Sequence, residues 1–294
     1  MPQEVPPVVV ATLSAGLLCH EFSSSWSTML AYDAASTGYT LVPGGKIEMC
    51  AGPRIAETRS QIVDAFFADP QFEGAQWLLM IDSDMVFDMH LLERMMAVAD
   101  PVHRPVLGAL CFAGGRSMSP YPTIYEEVLS PEADGKPTFV GIRPVKDYPR
   151  DALVRVGATG GACLLVHRNV LAAMTAPWPQ GFGTHQDGSK NPYPWFVEGL
   201  MTPDGEPIGE DIAFCRRLAL LQVPIHVHTG IKVGHVKTYV LDEKVFDFHQ
   251  ALTAEQTVVT ESPVVESPAK VHGDGPNRAE RRRRAREGLK VGAS

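Results

Sequence analysis

Trp77-Leu78-Leu79-Met80-Ile81-Asp82-Ser83-Asp84 is an apolar run that ends abruptly in two carboxylates spaced i, i+2. Five consecutive apolar residues suit a strand buried on both faces, and such a strand cannot carry two charges onward unless it has reached the edge of its sheet. Asp82 and Asp84 are therefore expected at a strand's carboxyl end. Ligands bind along that edge in open α/β sheets, and closely spaced oxygen ligands suit a hard divalent cation that also holds phosphate. A plainer reading stands beside this one: Asp is a common turn residue, and the pair can be a solvated strand-to-turn junction.

Upstream, Val8 to Leu13 reads as a first buried strand, followed by Ser14 and a Ser-rich stretch through Ser27 that can open a helix. Arg54 to Phe67 has helical spacing through Ile55, Ile62, Val63 and Phe66, and Arg59 falls inside that apolar face. A buried guanidinium needs an anion, either a structural carboxylate or a ligand's diphosphate.

Downstream, Asp88 can cap a helix carrying Leu91, Leu92, Met95 and Met96, and Val106 to Phe112 reads as the next strand. Strand, helix, strand suggests a parallel crossover. Residues 113–152 are rich in Pro, Gly and charge and read as an irregular excursion with at most a short hairpin, a length of loop that usually serves binding. Leu153–Val156 and Ala162–Val166 read as strands separated by Gly157, Gly160 and Gly161, which permit a tight turn or close backbone approach.

Residues 178–208 hold Trp178, Phe182, His185, Tyr193, Trp195 and Phe196 among prolines and glycines, either anchoring the loop or walling an acceptor. Gly209 to Leu221 reads as a helix with Ile212, Cys215, Leu218 and Leu221 on one side, and Ile225 to Thr229 as a strand. Glu210 and Asp211 at that helix start suit either capping or a general base. His235, after Gly234, is either structural or a neutral imidazole for a metal; His226 and His228 share a strand face and carry no assignment.

Bulk properties narrow the classes. The 294 residues are 45% hydrophobic, ample for a packed core, with a formal charge of -8. Residues 251–294 hold 8 Lys and Arg against 6 Asp and Glu, leaving 18 against 28 in residues 1–250. So acidic a body argues against nucleic-acid binding, except through the tail's arginines at Arg278, Arg281–Arg284 and Arg286. Five scattered cysteines without a C-x-x-C pair indicate neither a disulfide framework nor a zinc site and fit a reducing, cytoplasmic setting. No stretch has the length of a membrane span, and the N-terminus lacks a signal-peptide pattern. The composition divides the chain into a body, residues 1–250, and a disordered Arg-rich tail, residues 251–294.

Taken in order, these pieces resemble a nucleotide-diphospho-sugar glycosyltransferase of the GT-A type, similar to family 2. The resemblance spans roughly residues 8–238: the strand ending near Ser14, the helix with Arg59, Asp82-Ser83-Asp84, Gly160-Gly161, Gly209-Glu210-Asp211 and Gly234-His235. It implies an α/β, Rossmann-like, mostly parallel sheet flanked by helices, with an irregular acceptor-side region.

It also implies a Mn²⁺ or Mg²⁺ ion held by Asp84 and His235, with Asp82 meeting the ion or the donor ribose. Ser14, Arg59, Asp82, Ser83 and Gly161 would bind a nucleotide-diphosphate sugar donor. Asp211 would be the base and Glu210 would orient the acceptor, a protein or carbohydrate, giving an inverting transfer. Related enzymes often carry Arg-Asn where this chain has Arg59-Ser60. The Arg-rich end resembles tails of actinobacteriophage proteins, which would place the enzyme in a host cytoplasm. A metal-dependent nucleotidyltransferase or phosphohydrolase would use similar carboxylates, and a noncatalytic sugar- or partner-binding protein could keep the fold. Truncation after residue 250 is expected to leave the melting temperature of the body unchanged; a large drop would assign the tail to the folded unit.

Overall fold

A computed structural model of the chain describes residues 7–14, 18–36, 41–51, 54–114, 120–131, 137–178, 188–190 and 192–237. The chain divides into two units, Met1–Lys237 and Thr238–Ser294. The Arg-rich tail, Phe182 and His185 lie outside the described residues.

The first half of the chain runs β1 (Val8–Ser14), α1 (His20–Ala35), β2 (Leu41–Cys50), α2 (Ile55–Ala68), β3 (Trp77–Asp82), β4 (Met85–Val86), α3 (Leu91–Val98), β5 (Val106–Leu110), β6 (Phe112–Gly114), β7 (Pro120–Pro122), β8 (Ile124–Pro131) and β9 (Pro137–Pro144). The second half adds β10 (Leu153–Val156), β11 (Ala158–Thr159), β12 (Cys163–His167), α4 (Arg168–Ala173), β13 (Leu200–Met201), β14 (Pro207–Ile208), α5 (Glu210–Leu220), β15 (Ile225–Lys232) and β16 (Gly234–His235). No helix among the described residues is long and apolar enough to cross a membrane.

Seven strands form the central sheet in the order β10-β15-β5-β12-β3-β1-β2. β2, β1, β3, β5 and β15 run one way; β12 and β10 run against them. The fold class is thus α/β with a mostly parallel sheet. The expected crossover is interrupted, because β12 lies between β3 and β5 and pairs antiparallel with both. The reversal matters for the site. It brings the start of β12, and the Gly160-Gly161-Ala162 segment before it, to the edge where β1, β3, β5 and β15 end.

Side chains alternate across the sheet, and each face has its own helices. Val9, Ala11, Leu13, Leu78 and Met80 face Ile62, Val63 and Phe66 of α2, in one cluster with Phe214, Cys215 and Leu218 of α5. Val8, Val10, Trp77, Leu79 and Ile81 face Phe22, Trp26 and Met29 of α1 and Leu91, Leu92 and Met95 of α3. With both faces covered, β5 can be apolar throughout, β3 up to Asp82 and β12 up to His167, as the run at Trp77–Ile81 requires.

Residues 113–152 depart from the irregular excursion expected. They form the short hairpin β6–β7 and the long antiparallel hairpin β8–β9, which joins β11 in a separate three-stranded sheet. Glutamates at 126 and 127 and prolines at 131, 137 and 144 disguise the strand pattern, because an outer hairpin tolerates charge and terminal proline. β2 likewise lacks a clear sequence pattern, its register against β1 shifting between Val8 and Val10. Within α2, Ile55 is 42% exposed, whereas Arg59 is only 3% exposed.

A candidate active site around Arg59

Asp82 ends β3 and Met85 begins β4, so the two acids flank a turn rather than continuing one strand. Their side chains consequently find different partners. Asp82 keeps the strand register, opposite Leu13 on the α2 side of the sheet, and meets the buried Arg59. Arg59 Nη2 donates to Asp82 Oδ1 and Oδ2 at 2.8 and 2.9 Å, and Nη1 donates to the Gly161 carbonyl at 2.9 Å. Its Nε lies 3.4 Å from Glu210 Oε1. Gly161 leaves room for this packing, since a Cβ there would sit 3.1 Å from the guanidinium carbon and press on it.

The second acid pair arrives on α5. Asp211 Oδ1 accepts from the Ile212 N–H at 2.7 Å, and Oδ2 from the Gly161 N–H at 3.3 Å. The glycine segment therefore touches both the arginine and the acid. One guanidinium thus draws α2, β3, the turn before β12 and the start of α5 into a single cluster.

Electrostatics follow from that crowding. Burial works against charge on Arg59, but Asp82, Glu210 and Asp211 outweigh it and lift its pKa above the ordinary arginine value. Burial pushes the Asp82 carboxyl up, against the pull of Arg59, and Asp84 and Glu210 push the same way. Asp211 is also raised, by burial first and Glu210 second, against its backbone hydrogen bonds and Arg59. The neighbouring thiol of Cys111 is pushed up to about 12, mainly by burial, and is poorly suited to act as a nucleophile.

Asp84 faces a different element. Its Oδ2 is 2.8 Å from His235 Nε2 and 3.5 Å from Lys237 Nζ, while its carbonyl accepts from the Val236 N–H at 2.8 Å. β4 and β16 pair antiparallel here, fixing His235 opposite Met85. His235 Nδ1 is 3.0 Å from the carbonyl oxygen of Phe112, which can only accept, so the proton on that side belongs to Nδ1. A neutral ring would turn the Nε2 lone pair toward the carboxylate, where the two could share a cation; an imidazolium would instead donate to Asp84. A carboxylate with an imidazole oriented through its second nitrogen could serve as a donor set for Mn²⁺ more readily than for Mg²⁺, which takes oxygen ligands. Among the described residues, no group of three or more His, Cys, Asp or Glu side chains is gathered to hold a metal. The protein's share of such a site is thus Asp84 and His235, and Asp82 is engaged by Arg59.

Ser83, between the acids, bridges neighbouring elements: its N–H donates to the Leu13 carbonyl at 3.3 Å and its carbonyl accepts from the Cys19 thiol at 3.6 Å. Ser14 lines a cleft of about 440 Å³ at the ends of β1 and β2, with Thr12, Phe22, Trp26 and Glu48. Thr12 Oγ1 is buried without a hydrogen-bond partner among the described residues. A larger cleft of about 630 Å³ lies at the start of β15, away from these acids.

Sequence reasoning missed Thr12, Glu48 and Lys237. Thr12 had a signal, a hydroxyl inside an otherwise apolar strand. Lys237 had only its i+2 spacing from His235, and Glu48 needed the position of β2. The aromatic loop is anchored rather than open at Trp195 and Phe196, which are 5% and 0% exposed. Arg217 donates to the carbonyls of Pro194 and Trp195, Phe196 stacks on Phe214, and the Phe196 N–H donates to Ser60 Oγ at 3.2 Å. Ser60 therefore holds the loop that packs beside Arg59.

No family model and no curated protein matches the chain. Among solved structures it is similar to A197 from STIV, with 13% identity and a TM-score of 0.45 over 79% of this chain and 86% of that one. GalNAc-T7, solved with UDP, GalNAc and Mn²⁺, gives 11% identity and a TM-score of 0.44 over 80% of this chain and 44% of that one. The inositol-1-phosphate CTP transferase from T. maritima gives 6% and 0.38 over 84% and 96%. These are remote likenesses, and the case for a function rests on the geometry of the site itself.

Arg59→Met is expected to destabilise the protein by about 3–5 kcal/mol in urea titration, because it leaves buried acid unpaired. Arg59→Met with Asp82→Asn should recover roughly 0.5–3 kcal/mol relative to the sum of the single changes. Simple additivity would remove the ion pair from the centre of the site.

Proposed function

We propose that the chain is a metal-dependent glycosyltransferase that moves a sugar from a nucleotide-diphosphate donor to an acceptor hydroxyl with inversion. The observation that carries the reading is the gathering of Asp82, Glu210, Asp211 and Gly161 around Arg59, with the Asp84–His235 pair at the same sheet edge.

The cleft at the ends of β1 and β2 would take the nucleoside, its apolar side formed by Phe22 and Trp26. The unpartnered Thr12 hydroxyl and the Glu48 carboxylate would read the base edge, and Ser14 would lie beside the ribose. Asp82, oriented by Arg59, would accept from a ribose hydroxyl, while the Ser83 backbone fixes the turn between the acids. Asp84 and His235 would hold a divalent cation across the diphosphate, where it offsets charge developing on the leaving nucleoside diphosphate.

Asp211 would take the acceptor's proton as the hydroxyl oxygen bonds to the anomeric carbon and the bond to the diphosphate oxygen breaks. Its two backbone donors hold the carboxylate in place, and its raised pKa makes it a stronger base than an ordinary aspartate. Glu210, beside Arg59, would orient the acceptor.

Asp84→Ala should abolish Mn²⁺-dependent donor binding in calorimetry; unchanged donor affinity removes it from the metal site. Asp211→Asn should keep donor affinity and lower transfer by roughly 10²–10⁴-fold. The base acts deprotonated, so wild-type transfer should fall as pH drops through a midpoint above the ordinary aspartate value, and Asp211→Asn should lack that limb. A panel of nucleotide sugars with Mn²⁺, read by release of nucleoside diphosphate, tests the activity. Release of pyrophosphate or phosphate instead would make the protein a nucleotidyltransferase or phosphohydrolase.

A further inference from the structure

A groove of about 300 Å³ runs between β9 and the β13–β14 hairpin, and none of the roles above uses it. Phe139, Val140, Gly141 and Ile142 all border it. Successive side chains of a strand point to opposite faces, so four consecutive residues can border one groove only where it follows the strand's edge. β9 is an outer strand of its three-stranded sheet, paired with β8 on one side.

The groove runs beside the start of α5, next to the two acids without being lined by them. Gly209 and Ile212 line it, flanking Glu210 and Asp211 in sequence, and a Cβ built on Gly209 would lie 2.9 Å from Asp211 Oδ1. Its far wall carries Asp204 and Glu206. β9 is tied to the helix that bears the acids: Arg216 of α5 lies over the Phe139 ring, 4.1 Å from its centroid, and pairs with Glu127 at 2.5 Å. Edge and carboxylate are thereby held in a fixed relation.

We propose that this groove binds the acceptor as an extended polypeptide segment, paired along the edge of β9 and carrying Lys or Arg near a Ser or Thr hydroxyl. The inference deepens the glycosyltransferase reading above and rests on it. A strand edge presents alternating N–H and C=O groups that match another extended backbone, while the bordering side chains select among sequences. Ile208 and Ile212 supply apolar contact, and Asp204 and Glu206 supply charge complementary to a basic segment. The one aromatic ring lining the groove, Phe139, has Arg216 over one face, so the wall is poor in stacking surface for a sugar.

The test uses the full chain without donor and fluorescence polarisation with three labelled probes: a nonapeptide with a central Thr flanked by Val and Lys, the same peptide N-methylated at alternate residues, and a linear glucan hexamer. The nonapeptide should bind and its N-methylated analogue should bind about tenfold more weakly or not at all. A Cβ at Gly141 meets nothing within 4 Å, so Gly141→Phe can project into the groove without crowding its own strand. It should weaken the peptide about tenfold while leaving the melting temperature unchanged. Glu206→Lys, an exposed change, should weaken the Lys peptide more than an Ala counterpart and carries the test if Gly141→Phe misfolds.

Equal binding of the N-methylated peptide, wild-type affinity in both variants, or no peptide binding at all overturns the proposal. Glucan binding that Gly141→Phe removes, without peptide binding, makes the groove a carbohydrate site and overturns it equally. Donor calorimetry on the same samples separates the two readings. Peptide binding without any donor binding would keep the groove and remove the glycosyltransferase; donor binding without peptide binding would do the reverse.

Discussion

A buried guanidinium with more carboxylates around it than it can neutralise organises this protein. Arg59 is 3% exposed and faces Asp82, Glu210 and Asp211, with the Gly161 carbonyl completing its contacts. Placing one of these acids beside a buried arginine explains the ion pair; placing three there leaves negative charge uncompensated. Burial first, with repulsion between the carboxylates added to it, raises the pKa values of Asp82 and Asp211. An acid-rich centre of this kind is poised for a cationic ligand or for proton transfer, because either relieves the repulsion. The Asp84 carboxylate, with His235 and Lys237 beside it, extends the same field along the sheet edge.

The sheet delivers these groups because of its single internal reversal. Had β12 run parallel to β3, the glycine segment before it would open at the opposite end of the sheet. Running antiparallel, it places Gly161 between Arg59 and Asp211, with its carbonyl accepting from one and its N–H donating to the other. The second half of the chain is locked to the first by comparable contacts. Ser60 and Arg217 hold the backbone around Trp195 and Phe196, and Glu198 accepts from the Ala56 N–H at 3.1 Å, close to the start of α2. Arg59 thus sits in a helix fixed at its face and near its start.

Legibility in the sequence followed burial. Fully buried strands announce themselves by composition, so Val8–Leu13, Trp77–Ile81 and the core of β5 and β12 could be read directly. α2 and α5 could be read from their periodicity, and Arg59 from its place in an apolar stripe. The outer elements could not. β2 and the β8–β9 hairpin face solvent in part and carry glycine, proline and glutamate, so their strand character comes from pairing and not from local preference. Glu48 and the groove beside β9 were hidden for the same reason.

The residue types and their order set the α/β class and put the two acid pairs at a strand end and a helix start, since these depend on local pattern and burial alone. Tertiary structure decided who meets whom. Asp82 and Asp84 are two residues apart, yet the turn between them sends one to an arginine 23 positions upstream and the other to a histidine 151 positions downstream. No spacing rule encodes that divergence. It arises because β3 ends at Asp82 while β4 pairs with a strand from the far end of the described chain, and only the folded arrangement sets which partner lies on each side.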